Sequence, residues 1–489
     1  MNGTSGTVVD GVYRYPEKGI KVVIVGAGNG GLTAALECWR KGFDVVVLER
    51  AAELSPLGDF FTIPPSALTT LKDYPRLYKK YHSKVHDCVV RLMTPSGHVV
   101  ASLMPEWKRE GIVHACPEVD ISFLNRRPEY ASWQLEQVQA LGIPVHFSTQ
   151  AENVTETDDK VIIHTDKGDY EGDVVVAADG IGSRVPWPVP GGLSAVKDSG
   201  YAVARVAFPR DTIKKGSPAE ALSKSVDEEG PQFRTYVGGD DVSLIIFLTK
   251  DYVAWAFSHE ADAYSAESWH NLRDPEDIIK VIEKSSNDWD PAVLDFVRQT
   301  PVKVVDWRLM WRDSIEQWTS DKGRIIKVGD SAHAFFPTAG NGAVQAQEDG
   351  ISLAECLHQA GIKENMPWAT RVHNTLRFQR VSILQQTGFV NRDELHHSTF
   401  DESAHAPDGE APPEVGFFKI GRWVWDHNPE DYARRSYQKC LEHIRDGKKF
   451  YNTNIPPGHV FKSWTLESEY KRMAEGGHSG LKENGYWGM

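Results

Sequence analysis

KVVIVGAGNGGLTAALECWRKGFDVVVLER, residues 21–50, is the stretch from which the fold follows. Lys21 to Val25 is an unbroken, mostly β-branched run, as expected of a parallel strand buried on both faces. Gly26, Gly28 and Gly31 then open a segment whose apolar residues Leu32, Ala35 and Leu36 repeat with helical spacing. A second apolar run, Val45 to Leu48, ends in Glu49. Strand, G-x-G-x-x-G turn, helix and strand together make a βαβ unit of the nucleotide-binding kind. Gly26 permits the tight turn, Gly28 lets a pyrophosphate approach the backbone, and Gly31 allows the helix to pack closely on the strand. The helix N-terminus offers free N–H groups and a positive dipole to the phosphates. Glu49 stands where an acid accepts from a ribose diol and repels a 2′-phosphate, so FAD or NAD suits it better than NADP.

The bulk composition agrees with a protein that handles a small molecule. The chain has 489 residues, enough for two or three domains, and 40% of them are hydrophobic. Its net charge of −14, with Lys and Arg dispersed, argues against nucleic acid or an anionic membrane as partner. Five scattered cysteines without a C-x-x-C pair suggest neither a zinc site nor a disulfide framework. The N-terminus lacks the apolar core of a signal peptide, and no run approaches the ~18 apolar residues of a membrane span. An intracellular, cytoplasmic protein is the expectation.

Two further stretches repeat the theme of an apolar strand ending in an acid and a glycine turn. DVVVAADGIGSR, residues 173–184, carries Asp179; GRIIKVGDSAHAFFPTAGNGAVQAQED, residues 323–349, carries Asp330 and a Gly340-Asn341-Gly342 turn. Ligands of open α/β sheets collect at the carboxyl ends of strands, so all three turns can face one bound molecule. A single NAD would leave two of them unexplained. Taken in order, the three motifs resemble those of the group A FAD-dependent aromatic monooxygenases, the salicylate-hydroxylase-like family. The Gly-Asn-Gly form and the C-terminal WVWDHNPEDYA (residues 423–433) resemble its fungal secondary-metabolism branch.

That resemblance implies roles for matched residues. Glu49 would bind the adenosine ribose, with Arg50 near the adenine. Arg127, in NRRPEYASWQLEQ, would open a helix and contact the FAD linker. Asp179 would support the pyrophosphate region and the transient NAD(P)H, and Asp330 would hold the ribityl chain. Gly340, Asn341, Gly342 and Ala343 would lie against the isoalloxazine, at the start of a helix whose N-terminus favours negative charge on the ring. Gly350 inside that helix costs about 1 kcal/mol relative to Ala, which suggests close packing there. No second G-x-G-x-x-G unit follows residue 60, so NAD(P)H would bind only transiently.

Between residues 197 and 300 the texture turns to alternating strands, YAVARVAF, FRTYV, VSLIIFL and YVAWAFS, expected to form an antiparallel sheet over the flavin. Arg205 interrupts an otherwise buried strand, and a buried charge without a partner is expensive, so it is a catalytic candidate or a member of a salt bridge. Tyr236 is a second candidate. Asp59, in PLGDFFTIPP, is a third; it departs from the small or apolar residue common in the resembled family and would suit a substrate amine or indole N–H. His333 sits inside the third motif and reads as a structural hydrogen-bonding residue. His396 and His397 lack a third ligand at metal spacing, so no metal is assigned.

The expected architecture is therefore α/β, α+β overall. It comprises a Rossmann-like FAD-binding domain (17–196 and 300–365), an antiparallel-sheet substrate domain (197–299) and a helical C-terminal region (366–489) with an exposed loop at 401–416. The implied activity uses NAD(P)H and O2 to hydroxylate or epoxidise an electron-rich aromatic or indole substrate through a flavin C4a-hydroperoxide. The protein would act as a monomer or homodimer. An FAD-dependent oxidase or dehydrogenase of the same fold is the alternative, and a non-catalytic nucleotide sensor the remote one.

Overall fold

The computed structural model describes residues 5–56, 58, 60–122, 125–190, 196–238, 242–268, 270–285, 288–397, 420–476 and 479–488. The strands used below are β1 (Lys21–Val25), β2 (Asp44–Leu48), β3 (Val89–Met93), β4 (Val99–Leu103), β5 (Val145–His146) and β6 (Val174–Ala177). They continue as β7 (Val196–Pro209), β8 (Gln232–Val237), β9 (Ser243–Leu248), β10 (Tyr252–Glu260), β11 (Leu272–Arg273), β12 (Val304–Arg312) and β13 (Ile325–Lys327). The helices are α1 (Asn29–Arg40), α2 (Arg127–Ala140), α3 (Pro218–Glu229), α4 (Pro275–Ile282), α5 (Pro291–Arg298), α6 (Gly342–Ala360), α7 (Met366–His397), α8 (Pro429–Asp446) and α9 (Leu466–Ala474).

The β-branched runs pair as the sequence demands. β13, β6, β1, β2 and β5 lie side by side in one all-parallel sheet. The neighbouring strands β13, β6 and β1 are buried on both faces and run parallel, so the three acid- and glycine-bearing turns that follow them leave the same edge of the sheet together. Helices α1 and α6 cross face to face above it. Gly350 makes that crossing possible: a Cβ there would stand 2.7 Å from the backbone nitrogen of Ala34.

The second sheet holds eight strands in the order β11-β12-β7-β10-β9-β8-β3-β4. It differs from the sequence expectation in two ways. It is mixed, because β8 runs parallel to β3. It also draws β3 and β4 from before residue 196 and β12 from after residue 300, across the expected boundaries. Long-range pairing of this kind leaves no mark in local composition. One face, with Ala204, Val206, Phe208, Leu244 and Trp255, is sealed by α3, α4 and α5. The other face carries Tyr201, Val203 and Trp307 and packs against Phe336 of the third motif.

A buried polar network ties the third motif to the C-terminal region. Asp349 on α6 accepts from the Gly329 amide (2.9 Å), His333 Nε2 (2.6 Å) and Arg377 Nε of α7 (2.9 Å). Arg377 also donates to Glu348 (2.6 Å) and to the Gln345 side chain (2.7 Å). Arg380 forks onto Glu348 at 2.9 and 3.0 Å and donates to the carbonyls of Val424 and Trp423. Burial opposes ionisation of both acids, but Arg380 and Arg377 hold the Glu348 carboxyl well below the usual carboxylate range. His333 and Arg377 do the same for Asp349. Burial pushes His373 down to about 3 and His427 well below its ordinary value.

Gly350→Ala offers a sign test of the α1–α6 crossing. Helix propensity alone would make alanine stabilising by about 1 kcal/mol. The close approach to Ala34 predicts the reverse, a loss of roughly 1–3 kcal/mol from overpacking, read as a lower urea midpoint.

Candidate functional site: a dinucleotide cleft and a flavin-edge turn

The first motif forms as its glycines require. Gly26 has φ +108°, and a Cβ there would lie 2.3 Å from the carbonyl oxygen of Ala178. A Cβ on Gly31 would lie 2.0 Å from the carbonyl oxygen of Gly26, so the helix start packs directly on the turn. Gly28 faces open space at the beginning of α1, where backbone N–H groups point outward.

These turns border a cleft of about 240 Å³ lined by Gly26, Gly28, Glu49, Arg50, Asp179 and Arg184, among others. Glu49 accepts from the Ala27 amide (2.7 Å) and the Ala51 amide (2.8 Å), which fixes its carboxylate at the end of β2. Asp179 accepts from Ser183 and from Trp187 Nε1 (3.1 Å) through one oxygen. Its other oxygen, Oδ1, is buried without a hydrogen-bond partner. Burial pushes this carboxyl up, against those hydrogen bonds and the nearby charge of Lys327. An unpaired buried acceptor beside an open glycine turn is what an ADP moiety with its hydroxyls would satisfy, so the residues fit the cofactor.

The third motif, expected to meet the flavin, leaves the same edge of the sheet beside the second. Asp330 is exposed just after β13, where it can accept from a polyol chain. Ser331 Oγ donates to the Val328 carbonyl (2.8 Å) and also to that of Ala177, locking the third motif to the second. Gly340 is left-handed at φ +62°, and α6 begins two residues later without a side-chain cap on its first N–H groups. Asn341 Nδ2 is occupied with the Ala339 carbonyl (2.7 Å), and Asn29 Nδ2 donates to the Ala343 carbonyl (3.1 Å). Arg127 is exposed at the first position of α2 and does not line the cleft.

Of the proposed substrate contacts, Arg205 lies half-buried on the sheet face shared with Tyr201 and Val203, the face turned to the third motif. Tyr236 does not. It is fully buried in the opposite core among Leu244, Phe257 and Trp289, because its register pairs it with Leu244. Asp59 lies outside the described residues. His333, read as structural, donates through Nε2 to Asp349 and contributes to the buried network. Among the described residues no cluster of His, Cys, Asp or Glu is arranged to hold a metal.

Three features escaped the sequence reading. Lys327 is buried in β13 beside Asp179, and burial lowers its basicity; a lysine inside RIIKV was the available signal. Trp311 of β12 is sandwiched between Phe336 and Phe389, with ring centroids 3.5 and 3.6 Å away. Arg392 of α7 lies 4.1 Å over the Tyr201 ring, on the face of the second sheet that packs against Phe336.

Known proteins share this arrangement. A model of NAD(P)-binding Rossmann-like domains matches residues 24–98, and one of FAD binding domains matches residues 128–361. The FAD-dependent monooxygenase mdpD of Emericella nidulans is 35% identical, covering 97% of this chain and 92% of its own. The chain belongs to the FAD-dependent monooxygenases. A second relative of this monooxygenase, dmxR9 of Cryptosporiopsis sp., is 34% identical over 97% of the chain and 91% of its own. The crystal structure of CtdE with FAD and a substrate superposes on the monooxygenase with a TM-score of 0.75 at 28% identity, covering 87% of this chain and 99% of that one.

FAD retention tests the cleft. Glu49→Ala and Asp330→Ala should each yield protein with at least ~10-fold weaker FAD binding, the loss of about 1.4 kcal/mol. The check is flavin content after gel filtration, with fully yellow Asp330→Ala protein as the contrary result.

Proposed function

We propose that this monooxygenase uses NAD(P)H and O2 to hydroxylate or epoxidise an electron-rich aromatic or indole substrate, as part of fungal secondary metabolism. The observation that carries the reading is the second sheet's inward face, with Arg205, standing against the turn at which α6 begins. FAD, when bound, supplies the oxygen activation: NAD(P)H provides two electrons, one oxygen atom goes to substrate and the other leaves as water.

The chain's own residues do the rest. The uncapped first turn of α6 offers N–H groups and a positive dipole, worth about 0.3–1 kcal/mol and up to ~2 when partly buried, wherever negative charge develops at the ring edge. Val203, Trp307 and Ala256 give an apolar surround that excludes water from the reacting centre. Arg205, cross-strand from Ala256, is the group that orients the substrate and stabilises the charge that appears on its ring oxygen as the new bond forms. Asp179 and Glu49 hold the far end of the cofactor, so the ring is fixed by contacts remote from the chemistry.

NADH- and NADPH-driven oxygen uptake across a panel of phenols and indoles tests this reading. Wild-type protein should show substrate-stimulated uptake with oxygenated product, and Arg205→Ala should lose roughly 100-fold in product rate while retaining FAD. Uptake that ends entirely as H2O2 would assign the protein as an oxidase, and an unchanged Arg205→Ala would remove that residue from the site.

A further inference from the structure

Helix α7 presents one face to the turn that precedes α6. Gln385, Gly388 and Asn391 recur at helical spacing on that face, and each engages the turn. Gln385 Nε2 donates to the Ala334 carbonyl (3.0 Å), and Thr338 Oγ1 donates to the Gly388 carbonyl (2.6 Å). Asn391 Nδ2 donates to the Thr338 carbonyl (2.9 Å). Gly388 lets the two come together: a Cβ there would stand 3.2 Å from Phe336 Cβ and 3.4 Å from Ala339 Cβ. The residues so gripped, 334–339, lead directly into Gly340, Asn341 and the first turn of α6.

Asn391 also has a second, unused capacity. The residue is 7% exposed, and Oδ1 is buried without a hydrogen-bond partner. It borders a cavity of about 10 Å³ whose walls include Ala339, Asn341, Leu384, Thr387 and Trp487. That volume is about one water, and the position beside Asn341 would let one polar group link Asn391 to the flavin-edge turn. A buried amide kept half-satisfied next to a cofactor turn is costly as a mere packing element.

We propose that Asn391 is a positioning residue for the flavin ring. Its donor sets the height of the Pro337–Ala339 turn, and its acceptor completes the polar wall behind Asn341. Together these determine where the first N–H groups of α6 meet the ring edge. The inference rests on the FAD-dependent reading above and adds to it a residue on α7 that lies outside the three motifs.

The test compares Asn391 with a matched residue on the same helix. Asn374 is likewise buried and holds a different loop, accepting from the Trp318 amide (2.7 Å) and donating to the Glu316 carbonyl (2.8 Å). Asn391→Leu removes both polar atoms; Asn391→Asp keeps the shape and, when ionised, lacks the donor. Both should raise the FAD Kd at least tenfold, shift the visible spectrum of bound flavin and make its reduction potential more negative. Asn374→Leu should lower the melting temperature while leaving Kd within twofold. A wild-type Kd and spectrum in the Asn391 variants, or an equal rise in Asn374→Leu, overturns the proposal. Should Asn391→Leu fail to fold, the nearly isosteric Asn391→Asp decides. Wild-type protein that takes up no FAD would instead defeat the underlying reading, whatever the variants do.

Discussion

The carboxylate of Asp349 accepts from the Gly329 amide, from His333 and from Arg377, and the rest of the molecule is arranged around that convergence. Two carboxylates, Glu348 and Asp349, face two guanidiniums, Arg377 and Arg380, in a region closed to water. Isolated buried charges of this sort would be prohibitive; here the planar guanidinium forks satisfy the carboxylates at several points at once. The arrangement cannot be entered piecemeal, because removing one partner strands the others. It therefore joins α6, α7 and the carbonyls of Trp423 and Val424 into one unit whose geometry is set by hydrogen-bond length.

That unit ends at the cofactor site. Gly329 and His333 belong to the third motif, so the turn that carries Asp330 is anchored from behind by the network. Ser331 anchors it sideways to the second motif, through the carbonyls of Ala177 and Val328. The second sheet is joined to the same turn by the Trp311 sandwich between Phe336 and Phe389. The third motif is thus held between the parallel sheet and the second sheet.

The features legible in sequence were those with a local physical requirement. Gly26 and Gly31 announce themselves because no side chain can stand where theirs would. The strands around Arg205 were legible through their period of two. What that period could not settle was face. Arg205 and Tyr236 both stood as candidates on such strands, yet register sends Arg205 toward the third motif and Tyr236 into the opposite core. Strand partners were illegible for a related reason, since nothing local in Val89–Met93 says that it pairs with residues 232–236. The ion network was hidden by distance: Gln-Glu-Asp at 347–349 and the arginines at 377 and 380 look like ordinary helix charges until α6 and α7 meet.

The central claim is that the buried charges hold the cofactor turn, and Arg377→Met tests it at one remove from the turn. FAD titration of the folded variant, with its urea unfolding measured alongside, reads both consequences. The account predicts a stability loss of about 3–5 kcal/mol together with clearly weaker FAD binding, because the two buried acids are left with Arg380 as their one guanidinium and Asp349, which anchors Gly329, loses the arginine that fixes it. Near-wild-type affinity in a destabilised protein, or near-wild-type stability, would contradict it.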